Sequence, residues 1–358
     1  MKNFHCNHCD NLVFFENVAC VACDRTLGFI PKYMRMATFE AAGGELWRAP
    51  DGASFRKCAN YAAEHVCNWM VPADDAHERC VACRLNAVVP DLGVQGNREA
   101  WFKLETAKRR LVYTLLALKL PVVPRSDDPE RGLAFSFLAS TPGRQVMTGH
   151  DDGHIVINLA EADDAHREKT RQSMGEPYRT LLGHFRHETG HYYWDRLIDG
   201  TDYLDRFRSL FGDDRADYQQ ALARHYEAGA PSDWRSRFIS EYATMHPWED
   251  WAESWAHFLH MTDTLETARD LGLVLQPRRG GDPSVRMDRE RRQAALARSF
   301  DEMRDQWIPL TYALNSLTRS MGLQDAYPFV LSVPAMEKLR FVHDVISGSS
   351  TALAGPGV

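Results

Sequence analysis

Apolar residues recur every three or four positions along most of this chain's C-terminal two-thirds, the spacing of amphipathic helices. Between residues 98 and 119, Trp101, Leu104, Leu111, Leu115 and Leu118 form one stripe. It predicts a core-facing helix capped at Asn97 and stopped by Leu120-Pro121. Leu133–Ala139 and His154–Leu159 are richer in β-branched or aromatic residues and predict strands, with a turn at Asp151-Asp152-Gly153 between them. Residues 122–132 are Pro- and Asp-rich and predict a loop. Beyond Leu159 the pattern predicts mostly helix, over about 161–174, 177–198, 215–228, 232–243, 247–260, 287–318 and 335–346. Ser347–Val358 is rich in Gly, Ser and Ala and predicts a disordered tail. The class that follows is α+β, mostly helical with a small sheet.

The 358 residues exceed what one small domain needs. Apolar content of 44% and charged content of 25% fit a soluble globular protein. A net charge of -7 offers no general attraction to nucleic acid or an anionic membrane. No apolar run is long enough to span a bilayer. The N-terminus lacks the apolar core of a secretion signal, so a cytoplasmic location is expected. A reducing compartment disfavours disulfides, and the eight cysteines need another job.

All eight lie before residue 84. Cys6 and Cys9 form one C-x-x-C knuckle, Cys20 and Cys23 a second. Two such knuckles make a tetrahedral zinc site of the zinc-ribbon or rubredoxin kind, with Phe14-Phe15 on a hairpin between them and Gly28 shortly after. Cys58, Cys67, Cys80 and Cys83 predict a second four-cysteine site, although only the last pair has knuckle spacing. Four thiolates close the coordination sphere, so both sites read as structural, with the metals supplying much of the folding free energy. His5, His8, His65 and His77 lie nearby but are not needed as ligands. Residues 1–60 hold seven basic and six acidic residues, no footprint for nucleic acid. A protein partner or a purely structural role suits the ribbons better. The expected organisation is a ribbon over 1–48, a second four-cysteine module over 49–95, a larger domain over 96–346, and the tail 347–358.

His187-Glu188-Thr189-Gly190-His191 reads H-E-x-x-H. Residues i and i+4 share a helix face, so two imidazoles can hold one zinc while Glu188 faces the water beside it. A catalytic zinc needs a third protein ligand and an open position. The metzincin extension would place Gly at 194 and His at 197, where this chain has Trp194 and Leu197. Asp202, in Gly200-Thr201-Asp202-Tyr203, stands one position early for an aspartate-ligand enzyme. The stronger candidate is the segment from His246 to Glu253. Pro247 suits a first helical turn, and Glu249 and Glu253 share a face. One carboxylate can bind zinc while the other hydrogen-bonds a ligand histidine. Trp248, Trp251, Trp255 and Phe258 surround them at helical spacing, so this helix should be buried and its carboxylates in need of a partner. His184, His246, His257, His260 and Asp195 lie near the motifs; Asp195, at i+4 from His191, is the best further partner for a ligand histidine.

The segments 179–195 (RTLLGHFRHETGHYYWD), 242–257 (YATMHPWEDWAESWAH) and 263–268 (DTLETA) carry a resemblance over nearly the whole chain. The chain resembles a bacterial family of zinc-binding metallopeptidases with an N-terminal zinc ribbon. This implies a zincin-like domain, one catalytic and two structural Zn²⁺, and a peptide or protein substrate. Glu249-Asp-Trp-Ala-Glu253 is similar, more distantly, to the E-x-x-A-E of lethal-factor-like gluzincins, which place a Tyr seven residues before the first Glu. That resemblance implies Glu249 as third ligand, Glu253 as its supporting carboxylate and Tyr242 as hydrogen-bond donor in the transition state, with Tyr192, Tyr193 and Tyr218 as rivals for the last role. Glu249 in the first helical turn agrees, since the helix dipole favours a carboxylate there. In this mechanism Glu188 moves the water proton to the leaving amine. A strand such as His154–Leu159 would pair with an extended substrate. The competing readings are a non-enzymatic ribbon protein and a zinc hydrolase of non-peptide amides; a base at Glu188 favours an enzyme.

Overall fold

The structure, a computed structural model, describes residues 2–174, 179–276, 286–287 and 299–352. The chain packs as two units, Met1–Arg167 and Glu168–Val358.

The first unit opens with a short antiparallel pair, β1 (Phe4–His5) and β2 (Leu12–Val13). Five antiparallel strands follow in sequence order: β3 (Thr26–Ile30), β4 (Arg35–Ala41), β5 (Leu46–Arg48), β6 (Ser54–Lys57) and β7 (Met70–Pro72). The single-turn helices α1 (Ala59–Ala62) and α2 (Val81–Arg84) carry or flank cysteines. Gly28 is needed for close approach: a Cβ there would lie 2.5 Å from Cγ of Met70. Phe14-Phe15 falls just past β2, where Phe15 turns inward and Phe14 stays exposed. Phe15 packs on Phe29 at 5.0 Å and on Tyr113 at 5.4 Å, and Phe29 on Trp69 at 4.9 Å. The ribbon, the second cysteine module and the long helix α3 (Asn97–Ala117) therefore share one aromatic core.

Most of the α3 stripe is buried as its periodicity predicts. The helix also buries Glu105, Lys108 and Arg109, which the stripe does not show. Lys108 pairs with Glu105 at 2.8 Å, and Trp101 and Asn86 donate to the same carboxylate. A buried charge is tolerable when it is paired and hydrogen-bonded in this way.

A second sheet has the order β10 (Gly149–Asp151), β11 (His154–Asn158), β9 (Ala134–Leu138), β8 (Asn86–Val88). Both expected strands exist, but they run parallel to each other. The Asp152-Gly153 turn instead joins β10 to β11, with φ of 44° and 75°, the two positive values that a tight right-twisted hairpin requires. This corrects the substrate-pairing expectation: β11 is hydrogen-bonded on both sides, by β9 and β10, and has no free edge.

Helix α4 (Asp164–Met174) leads into the second unit, which holds α5 (Leu181–Leu197), α6 (Leu204–Phe211), α7 (Tyr218–Ala228), α8 (Pro247–Asp270), α9 (Phe300–Ser320) and α10 (Val333–Ala352). Four expectations change. Residues 232–243 form two 3-10 turns, not a helix; the Ser240 hydroxyl accepts from Ala243 N–H at 3.1 Å and competes with helical bonding. Helix α8 runs ten residues past the expected end, because its polar Asp263 is satisfied inside by Arg186 at 2.5 Å. Met287 is no helix start: it bridges Leu275 in an antiparallel pair, and α9 begins at a capping box of Ser299 and Glu302. Residues 347–352, expected as disordered tail, continue α10; residues 353–358 and 288–298 lie outside the described residues. No helix among the described residues is long and apolar enough to cross a membrane.

Candidate functional site

Both cysteine quartets converge, the first as its knuckle spacing predicts and the second without that spacing for Cys58 and Cys67, each with its four sulfurs within 4.8 Å of one another. Sulfur separations are 3.7 Å for Cys6–Cys23, 3.6 Å for Cys9–Cys20 and 3.8 Å for Cys67–Cys80. A disulfide needs about 2.05 Å, whereas a tetrahedral zinc with Zn–S bonds near 2.3 Å spaces its sulfurs by about 3.8 Å. In the first quartet both knuckles close alike: Asp10 and Asp24 adopt φ of 60° and 58°, and their N–H groups donate to the carbonyls of Cys6 and Cys20. In the second, backbone N–H groups of Trp69 and Cys80 donate to the sulfurs of Cys67 and Cys58 at 3.4 and 3.3 Å.

Burial separates the two. Cys58, Cys67, Cys80 and Cys83 are all buried, while Cys9 is exposed. Burial pushes the Cys67 thiol up, but hydrogen bonds from the other three sulfurs and the charge of Arg109 outweigh it and hold Cys67 well below the usual thiol range. Four thiolates around Zn²⁺ carry a net charge of about −2, and Arg109 supplies a buried counter-charge. Of the nearby histidines, His5 contacts the Asp10 carbonyl and His77 the Asp75 carboxylate.

The third cluster is His187, His191 and Glu249. Helix α5, capped by the Thr180 hydroxyl on Gly183 N–H, places both histidines on one face. Helix α8 starts at Pro247 with His246 as its cap, whose Nδ1 accepts from Trp248 N–H. Gly190 lets the two helices meet, since a Cβ there would stand 2.9 Å from Cα of Ala252. Trp251 Nε1 donates to the Gly190 carbonyl at 2.8 Å and locks the register. The result puts Glu249 Oε2 at 2.9 Å from His187 Nε2 and Oε1 at 3.5 Å from His191 Nε2. Ligand atoms of a tetrahedral zinc with bonds near 2.1 Å lie about 3.4 Å apart; the His191 separation matches that spacing, the His187 one is a hydrogen-bond distance, and two imidazoles with a carboxylate are a donor set that suits the ion.

The other nitrogen of His187 strengthens the fit. Its Nδ1 lies 2.8 Å from Oε1 of Glu253, itself on the next turn of α8. With Nδ1–H donated to Glu253, Nε2 turns a lone pair toward a carboxylate oxygen. Two acceptors at that distance need a cation between them, a proton or a metal. Burial opposes charge on His187, but Glu249 and Glu253 outweigh it and raise its pKa well above the ordinary value. Burial likewise opposes charge on Glu249, yet the two histidines hold it well below the usual carboxylate range.

Glu188 is half-buried on the same helix turn as His187. The ring of Tyr242 lies 5.9 Å from that of His187. Of its rivals, Tyr192 and Tyr193 are core residues, Tyr193 stacking on Trp255 at 4.8 Å. Tyr218 does face the cluster: its hydroxyl donates to Glu249 Oε1 at 2.8 Å. Asp195 lies one turn beyond His191 on α5, and Asp202 falls in the turn before α6, outside the cluster. His257 donates to or accepts from Tyr327 at 2.8 Å, and His246 pairs with the Ala216 carbonyl at 3.0 Å. The link of Tyr218 to Glu249 has no local signal in the sequence, because 31 residues separate them.

Comparison with known proteins agrees with zinc binding. Residues 97–345 match the family described as "Putative zinc-binding metallo-peptidase", and residues 3–94 match a zinc-ribbon domain. Uncharacterized proteins of Mycobacterium bovis and of two Mycobacterium tuberculosis strains are 47% identical over 348 residues, covering 97% of this chain and 95% of each relative. No solved structure matches the chain. Two four-cysteine zinc sites, a zinc-ribbon N-terminus and a match over most of the remaining length place this chain in that zinc-binding metallopeptidase family.

Proposed function

We propose that this protein is a zinc-dependent peptidase of the gluzincin kind, cleaving peptide bonds in peptides or proteins of the cytoplasm. The observation that carries this reading is the convergence of His187, His191 and Glu249 beside Glu188. Three protein ligands leave a position open, unlike the two four-sulfur sites, and a structural zinc has no use for an adjacent base. His187, His191 and Glu249 would hold the catalytic zinc, and the two quartets one structural zinc each.

When bound, zinc supplies Lewis-acid chemistry, polarising a carbonyl and lowering the pKa of water. Glu188 takes a proton from the attacking water and returns it to the leaving amine. Glu253 orients His187 through Nδ1, and Asp195, one turn beyond His191, is the further partner for a ligand histidine. Tyr242 donates a hydrogen bond to the oxyanion that develops on the scissile carbonyl; burial raises its pKa, so the phenol keeps the proton it needs to donate. The exposed Phe14, Val18 and Val21 around the first ribbon offer a protein partner an apolar contact.

The test is peptide profiling by mass spectrometry with the full-length protein and Glu188→Gln. Cleavages made by the parent and lost in the variant, at equal zinc content, are the expected result. A parent that cleaves nothing while carrying zinc at all three sites, or a variant that cleaves equally, overturns the reading.

A further inference from the structure

Helix α7 buries none of its residues, yet its first tyrosine is directed at one of the most buried carboxylates in the unit. We propose that Tyr218 is a positioning residue of the histidine–carboxylate centre: its hydroxyl pins the Glu249 carboxylate through Oε1 and so holds Oε1 toward Nε2 of His191 and Oε2 toward Nε2 of His187. This rests on the zinc reading proposed above.

A hydrogen bond to one carboxylate oxygen fixes the plane of the group, so that both oxygens keep their places toward the two histidines. The approach of Tyr218 is itself held from both sides. Asp217 caps α7 by accepting from Gln220 N–H at 2.9 Å, and His246 Nε2 meets the Ala216 carbonyl at 3.0 Å. The Tyr218 ring stands edge-on to His246 at 5.3 Å. The cap of α8 and the start of α7 are thus tied together within three residues of Glu249.

Tyr242 stands at the same centre, its ring 5.9 Å from that of His187, but the hydroxyl that reaches Glu249 is that of Tyr218. The two tyrosines therefore divide the work: one holds the ligand, the other meets the substrate.

The test measures zinc affinity of the full-length protein by competition with a chelator, taking the zinc that His187→Ala loses as the share of this centre. Tyr218→Phe should weaken that site by roughly 10–100-fold, the usual cost of losing a partner to a metal ligand, while Tyr242→Phe leaves its affinity unchanged. Equal affinity in Tyr218→Phe and the parent overturns the inference, whether or not the variant unfolds at lower temperature. Equal weakening by Tyr242→Phe overturns it too. A parent with no His187-dependent zinc overturns the catalytic-zinc reading and this inference together.

Discussion

The buried quartet of the first unit and the histidine–carboxylate cluster of the second both gather metal ligands, with opposite designs. Around Cys58, Cys67, Cys80 and Cys83 every donor is a sulfur, every sulfur is buried, and Arg109 balances the charge. Nothing is left over for a substrate. Around His187 and His191 there are three donors of two kinds, a half-buried carboxylate at Glu188 and two protonated tyrosines. Four thiolates would close the coordination sphere of a zinc ion, whereas three donors would leave a position open.

The largest effect that can break this comparison comes from the buried quartet. Cys67→Ser should lose one zinc and its share of the roughly 10–16 kcal/mol that structural zinc contributes in small zinc domains. Zinc per chain and thermal unfolding would report it. His187→Ala should drop the content from about three zinc ions to about two with folding largely intact. If His187→Ala unfolds the chain and Cys67→Ser is silent, the roles are reversed.

Next in size is Glu188→Gln. A lost general base costs about 10²–10⁴-fold in rate, here with zinc content unchanged. Loss of zinc from this variant would make Glu188 a structural partner of the site instead.

Gly190→Ala should be smaller but should reach the same centre. The new methyl meets the backbone of Ala252, and overpacking of this kind costs about 1–3 kcal/mol. Chelator sensitivity of the His187-dependent zinc should rise along with the loss in melting temperature. A variant as stable as the parent would mean that α5 and α8 part without cost.

The smallest effect is a pH slope. Burial pushes His257 down to about 4 and His260 to about 3. Both are neutral when folded but titrate near 6.5 when unfolded. As pH falls below 6.5 the unfolded chain takes up protons that the folded chain refuses, so stability drops by about 1.4 kcal/mol per pH unit for each histidine. For His260 this continues to about pH 3. His260→Gln should flatten the acid side of the stability curve by that amount, read as the difference between the two unfolding profiles. An unchanged slope would place a charged histidine at this position.

Much of the site was legible because it is local. H-E-x-x-H needs only the helical repeat, and C-x-x-C only one turn of backbone. Pro247 marked the start of α8 correctly, since its ring is disfavoured deeper in a helix. The lost elements were those where tertiary partners override pattern. Asp263 and Glu266 look like a solvated end of α8 until Arg186 is brought to Asp263 inside the protein. Residues 232–243 have helical composition, but Ser240 turns the chain with its own hydroxyl.

Sequence by itself determined the chemistry on offer: eight sulfurs in two sets, two imidazoles and a base on one helix face, and two carboxylates one turn apart on another. These follow from residue identity and from repeats of two to four residues, which the backbone imposes whatever surrounds it. Only the tertiary structure decided how Glu249 and Glu253 face the two nitrogens of His187, and which tyrosine reaches Glu249. Those choices depend on how closely α5 and α8 approach and on where α7 begins. Contacts across 31 to 66 residues leave no local pattern to read.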